Sequence, residues 1–291
     1  MKLTHSKAVV LMVAVALMWS TAGVVTRHLE SARSFEITFW RSFFTALSLL
    51  VILPLFQGRT VFMRLLQGGK SLWLSGLCWC VMFTAFMIAL TLTTVANVLV
   101  TMALGPLFTA LIARIFTNYR IPPRTWLAIG LAGVGIVWMY GGQADLLAQL
   151  GGTLVALMVP LAAACNWTVV QHSQKHQQKI DLMPAVLLGA LVSCLVTLPL
   201  AWPLATTSYD LALLGMLGLT QLAIPCVLSV WCATVLKAPE ISLLALLEIV
   251  FGILLAWLGA GEVPGSSVLY GGALVVSALV INELMAWRQK L

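Results

Sequence analysis

The charges of this 291-residue chain are confined to short gaps between long apolar runs: 16 Lys and Arg and 9 Asp and Glu separate about ten stretches, each close to the ~20 residues that a helix needs to cross the hydrocarbon core. With 61% hydrophobic residues and 9% charged ones, no segment is polar enough to fold as an aqueous domain. The runs are too long and too continuously apolar to alternate as barrel strands, and a bilayer offers backbone groups no water, so helices are required. The spans are expected near 8–27, 37–56, 71–91, 95–116, 124–142, 150–171, 184–204, 211–235, 239–260 and 267–287.

Distributing the basic residues over alternate sides puts Lys2, Lys7, Arg59, Arg64, Lys70, Arg114, Arg120, Arg124, Lys175, Lys179, Lys237, Arg288 and Lys290 with the N-terminus, and leaves Arg27, Arg33 and Arg41 elsewhere. This asymmetry predicts a multi-pass protein of the cell inner (plasma) membrane with both termini cytoplasmic. It also accounts for the net charge of +7 and leaves no basic groove for nucleic acid. The first span continues through Trp19 to Val25 without a small-x-small site, so it is read as a retained helix and not a cleaved signal. All six cysteines fall within spans, where a thiol serves mainly as a small hydrophobe. His172 and His176 lie one helical turn apart, with no further ligands beside them, and are read as a solvated linker; no metal or cofactor is expected.

The stretches Thr91 to Trp138 and Lys237 to Ala278 share one layout at an offset of about 143 residues, pairing Asn97 with Glu240 and Gly105 with Glu248, while Trp19 has a counterpart in Trp167. Five spans per half is an odd number, so the halves enter the membrane in opposite orientation. The expected fold is therefore all-α integral membrane, ten transmembrane helices as two five-helix inverted-topology repeats, with domains at 1–145 and 146–291. Such repeats hold a substrate site near the midplane and exchange conformations to open alternately to either side.

Several segments carry a family resemblance: MWSTAGV in span one, ITFWRSFF in span two, LGPLFTALIA in span four, LALLEIVFGILLAWLGAGE in span nine, and the Gly-rich fifth and tenth spans. Over essentially its whole length the chain resembles the EamA-type transporters of the drug/metabolite transporter superfamily. The resemblance implies a ten-helix inner-membrane carrier, often an exporter of amino acids or related metabolites, with a central cavity built from both halves. The chain departs from the family pattern at TNYRI, where an acidic residue is common, and at Ile249, where Pro commonly follows the Glu.

Polar residues inside the spans are the site candidates. Glu248 is the foremost, since a carboxylate near mid-span must be protonated, paired or hydrated; it can carry a coupling proton, meet a substrate amine, or bond a neighbouring helix. Arg41 can draw a carboxylate or phosphate into a cavity, form a gating pair, or snorkel to the headgroups. Asn97, Thr101 and Gly105, continued by Phe108, mark one face of span four as a substrate wall or a close-packing face. Trp19 and Trp167 can sandwich an apolar or cationic ligand or fill the core. Asn166 and Gln221 are further polar candidates, Trp40, Trp73 and Trp287 are read as interfacial anchors, and Pro106, Pro160 and Pro225 are expected to kink or interrupt their spans.

The reading is a secondary transporter, an exporter by resemblance, of small metabolites such as amino acids or related amines. Its partners are the substrate and the bilayer, with protons open as the coupling ion and the oligomeric state open between monomer and homodimer. The same fold also suits a multidrug exporter of organic cations. An intramembrane lipid-modifying enzyme is the rival from another class, but it would need clustered acids, His or metal ligands at the interface, and the embedded acids are isolated. No GxxxxGK[ST] loop supplies an ATP motor.

Overall fold

Long apolar segments with few internal Gly or Pro satisfy their backbone as helices, and every regular element among the described residues is helical. The computed structural model describes residues 3–58, 60–117, 122–140, 146–175, 183–232, 235–236 and 244–288. In chain order these form α1 (His5–Thr26), α2 (Ser34–Gln57), α3 (Thr60–Gln67), α4 (Lys70–Leu92), α5 (Val95–Met102), α6 (Gly105–Thr117), α7 (Pro123–Tyr140), α8 (Leu146–Lys175), α9 (Met183–Ala201) and α10 (Ser208–Met216). A π-helical segment (Leu217–Ala223), α11 (Ile224–Cys232), α12 (Leu247–Ala260) and α13 (Ser266–Arg288) follow.

Among the described residues, five segments are long and apolar enough to cross a bilayer: α1, α2, α4, α9 and the continuous Ser208–Cys232 run. Shorter apolar helices include Leu150–Asn166 within α8 and Leu247–Ala260. The chain is therefore a multi-pass helical membrane protein. Its exposed Leu, Val, Trp and Phe side chains, such as Leu55, Val137 and Leu258, suit a lipid surround.

Span four differs from its sequence expectation. The stretch read as one helix is split into α5 and α6 at Ala103 and Leu104. Pro106 has no N–H to donate to the Met102 carbonyl, so the helix ends; Leu104 N–H instead bonds Thr101 O at 3.2 Å, and proline then occupies the first turn of α6, where its missing donor costs nothing. Ala103 belongs to the main core, so the break is packed within protein. Span nine is also interrupted: Leu244 and Ala245 are helical, Leu246 turns, and α12 begins at Leu247. Span eight carries its irregularity as the π-helical segment just before Pro225, where Ile224 N–H bonds Leu219 O, five residues back. Pro160, by contrast, leaves α8 unbroken.

The helices pair as α4 with α8 and α9, α2 with α9, α1 with α12 and α7 with α13. Small residues bring some backbones into contact. A Cβ on Gly189 of α9 would lie 2.4 Å from Trp79 Cβ and 2.9 Å from Gly76 O of α4. One on Gly218 would lie 2.8 Å from Thr45 N of α2, so only glycine lets the π-helical segment approach α2 this closely.

Two faces are distinct. Where α1 ends, Arg27 donates from Nε to Glu262 Oε2 (2.7 Å) and from its terminal nitrogens to Leu90 O (2.9 Å) and Thr93 O (2.8 Å). Glu262 Oε1 accepts from Val95 N–H at 2.7 Å. Gly261 makes this possible: at φ +66° it closes α12 in a left-handed turn, with Glu262 N–H returning to Ala256 O. On the same face the buried carboxylate of Asp210 accepts from the amides of Glu30, Ser31 and Ala32 and from the Ser31 hydroxyl. Glu36, also fully buried, accepts from the amides of Ala205 and Thr206 and the Thr206 hydroxyl. These acids, read from sequence only as loop charges, staple the connections between helices. Where α1 begins, Ala8, Met12 and Val15 pack against Cys232 and Leu236, so the first span is an integral part of the bundle.

Candidate functional site

Arg41, Gln221 and Trp19 form a connected set inside the bundle. Arg41 projects from α2 and is fully buried, which excludes the snorkelling role. One terminal nitrogen donates to Gln221 Oε1 (3.0 Å), the other to the Phe83 carbonyl (2.9 Å), and its charge lies 6.0 Å and 5.7 Å from the ring centres of Phe83 and Phe86. Nε has no hydrogen-bond partner. Gln221 reaches Arg41 because it sits on the π-helical segment that Gly218 draws against α2; such bulges recur at functional sites. Its Nε2 donates to the Trp19 carbonyl at 3.4 Å. Cys226, five residues on from Gln221, is also buried.

Glu248 occupies a different place from the mid-helix position expected. Because the chain turns at Leu246, Glu248 falls in the first turn of α12, where free amides and the helix dipole favour a carboxylate. It is half-buried. One turn further, Gly252 faces Leu99 of α5 and Ser20 of α1, so Glu248 stands where α12 meets helices from before residue 145.

The remaining candidates separate from this set. Asn97 is buried on α5, donating to Thr93 Oγ1 at 3.0 Å, and Thr101 turns its hydroxyl back to Asn97 O at 2.7 Å. The break before Gly105 interrupts the polar stripe, and Phe108 on α6 packs against the main core. These observations favour the packing reading of that face over the substrate wall. Asn166 accepts from Ser75 Oγ at 2.6 Å on the α4–α8 seam, two turns along α4 from Phe83. Trp167 lies on α8, but its side chain falls outside the described part of the chain, as do Glu240 and His176. Trp40 does not behave as an interfacial anchor: it packs among Phe39, Phe43 and Phe44 and against the core. Trp73 is 57% exposed, as an anchor would be.

Sequence reasoning missed Cys226, grouped with five other thiols as filler, and the aromatic faces of Phe83 and Phe86. Their only signal is spacing: three residues apart, both Phe side chains share a face of α4. Among the described residues no group of three or more His, Cys, Asp or Glu is placed to hold a metal. A cleft of about 410 Å³ opens on the face where α1 ends, lined by Arg27, Thr91, Thr93, Thr94 and Glu262, and lies apart from the Arg41 set.

The similar proteins identify this helical bundle as a membrane transporter, not an enzyme. Residues 6–141 match the EamA-like transporter family. The S-adenosylmethionine uptake transporter of Rickettsia conorii is 23% identical over 93% of this chain and 91% of its own, and that of Rickettsia bellii is 25% identical over 94% and 92%. The uncharacterized transporter YdfC of Bacillus subtilis is 25% identical over 65% of this chain and 62% of its own. A crystal structure 18% identical in sequence superposes with a TM-score of 0.64 over 99% of this chain and 100% of the other. The family match and these relatives together support an EamA-type transporter of the drug/metabolite transporter superfamily.

Proposed function

We propose that the chain is a ten-helix secondary transporter of the inner membrane, two inverted repeats over residues 1–145 and 146–291 with cytoplasmic termini, moving a small amine or amino-acid-like metabolite by alternating access. One observation carries this reading: Trp19 and Arg41 from before residue 145 meet Gln221 from after it in the buried interior of a bundle that also holds two interrupted helices. The interruptions, at Ala103 and Leu246, are separated by the same 143-residue offset that superposes the halves in sequence. Discontinuous helices at corresponding positions of two repeats line the substrate site in transporters of this design.

In this site Glu248 is the partner for a substrate cation and Trp19 supplies an aromatic face beside it. Two relatives are named for uptake of S-adenosylmethionine, a sulfonium cation with an amino-acid end, and such chemistry suits a carboxylate and an indole. Export, implied by the family resemblance, and uptake, the direction in those names, use the same cycle; counterflow measured from both sides of a proteoliposome separates them. Glu248 is also the group through which a proton gradient couples.

The test is thermal stabilisation of purified protein by amino acids, amines and S-adenosylmethionine, with transport of whatever binds, for wild type and Glu248→Gln. Stabilisation by one class and its loss in the variant supports the reading. Equal binding and transport in Glu248→Gln, at unchanged expression, removes Glu248 from the site.

A further inference from the structure

We propose that Arg41 receives a carboxylate of the substrate, in exchange for the Gln221 side-chain oxygen that it now holds. This deepens the transport reading above and rests on it: the substrate class narrows from amines to zwitterions carrying both an ammonium or sulfonium and a carboxylate.

Arg41 is a fully buried cation whose contacts among the described residues are all neutral: one amide oxygen, one backbone carbonyl and two aromatic faces. The carboxylates that might have paired with it are committed elsewhere. Glu36, five residues earlier on α2, is held by the Ala205 and Thr206 amides, and Asp210 by those of Glu30, Ser31 and Ala32. A guanidinium buried with no counter-charge is costly, and the cost falls when an anion arrives.

The geometry suits a carboxylate. Guanidinium has five N–H donors in a planar fork. Two terminal ones are used, while Nε, which with a neighbouring terminal N–H forms the side-on edge for bidentate carboxylate binding, has no partner. Gln221 is a replaceable occupant. It is a neutral acceptor on an irregular helical segment, and its other bond, to the Trp19 carbonyl, is long at 3.4 Å. A carboxylate offers the guanidinium an ionised, bidentate acceptor in place of a single neutral amide oxygen. Glu248, in the first turn of α12, supplies the anionic group of the proposed site, and a cation and an anion in one site are complementary to a zwitterion.

The experiment compares matched probes that differ only by the carboxylate: S-adenosylmethionine against its decarboxylated form, and methionine against 3-(methylthio)propylamine. Dissociation constants are measured on purified wild type, Arg41→Lys and Gln221→Glu. Wild type should favour the carboxylate-bearing member of a pair by at least about tenfold, the value of a hydrogen bond to a charged group. Gln221→Glu places an internal carboxylate on Arg41, so this protein should remain folded, with an unfolding temperature no lower than wild type, and the ratio should fall to about one. Arg41→Lys, which keeps the charge but loses the fork, should give an intermediate ratio. Equal affinities in wild type, or a preference that survives Gln221→Glu, overturns the carboxylate assignment alone. Failure of all four probes to bind overturns the amine-transport reading and this assignment with it.

Discussion

Replacing Glu262 with Gln tests whether the ties at the end of α1 hold that face closed. Glu262 accepts from Arg27 Nε and from Val95 N–H, both at 2.7 Å, and so joins α1, the end of α12 and the start of α5. Glutamine keeps one oxygen, enough for the Val95 amide, but turns an NH2 toward the Arg27 donor. One charge-assisted bond is lost, nominally about 1.5–3 kcal/mol. The Arg27 and Glu262 side chains are 29% and 19% exposed, so solvent screening reduces the loss to about 1–2 kcal/mol. Arg27 keeps its bonds to Leu90 O and Thr93 O, and the fold should persist. If opening on this face requires the bond to break, its equilibrium constant rises by about 5- to 30-fold, since 1.4 kcal/mol is a factor of ten. Cys226, 1% exposed, is the reporter. With the other five cysteines replaced, a membrane-impermeant thiol reagent added on the α1-end face should modify Cys226 faster by that factor in Glu262→Gln. An unchanged rate in a correctly inserted variant refutes the closing role.

Gly189→Ala should lower the unfolding temperature in detergent by the equivalent of about 1–3 kcal/mol, because the new methyl meets Gly76 O and the Cys80 amide as well as Trp79, and backbone cannot rotate away. Gly133→Ala, with open space around the added carbon, should leave it within about 0.5 kcal/mol. Asp210→Asn removes the charge that gathers four donors from Glu30, Ser31 and Ala32, and should cost about 2 kcal/mol and expose the 28–33 connection to limited proteolysis; an unaltered cleavage pattern contradicts the stapling role.

The parts of this protein that were legible in its sequence are those that depend on bulk properties. Long apolar runs specify membrane helices whatever their neighbours, and an arginine inside one is conspicuous because so few charges are. What sequence could not convey is which polar groups meet. Arg41 and Gln221 are 180 positions apart, and their contact depends on Gly218 being small and on Pro225 depriving its helix of a donor, two local facts that act only together. The same reasoning explains why Glu248 looked like a mid-span carboxylate. Hydropathy runs smoothly across Leu244 to Ala260, and the interruption at Leu246, with no Gly or Pro beside it, leaves no compositional mark. In span four the interruption is announced by Gly105 and Pro106; in span nine the corresponding residues are Glu248 and Ile249. The helix break therefore recurs at the same offset while the residues that signal it do not. At the two breaks the local sequence acts differently: Pro106 opens α6 as a proline-initiated helix, while Glu248 places a carboxylate in the first turn of α12.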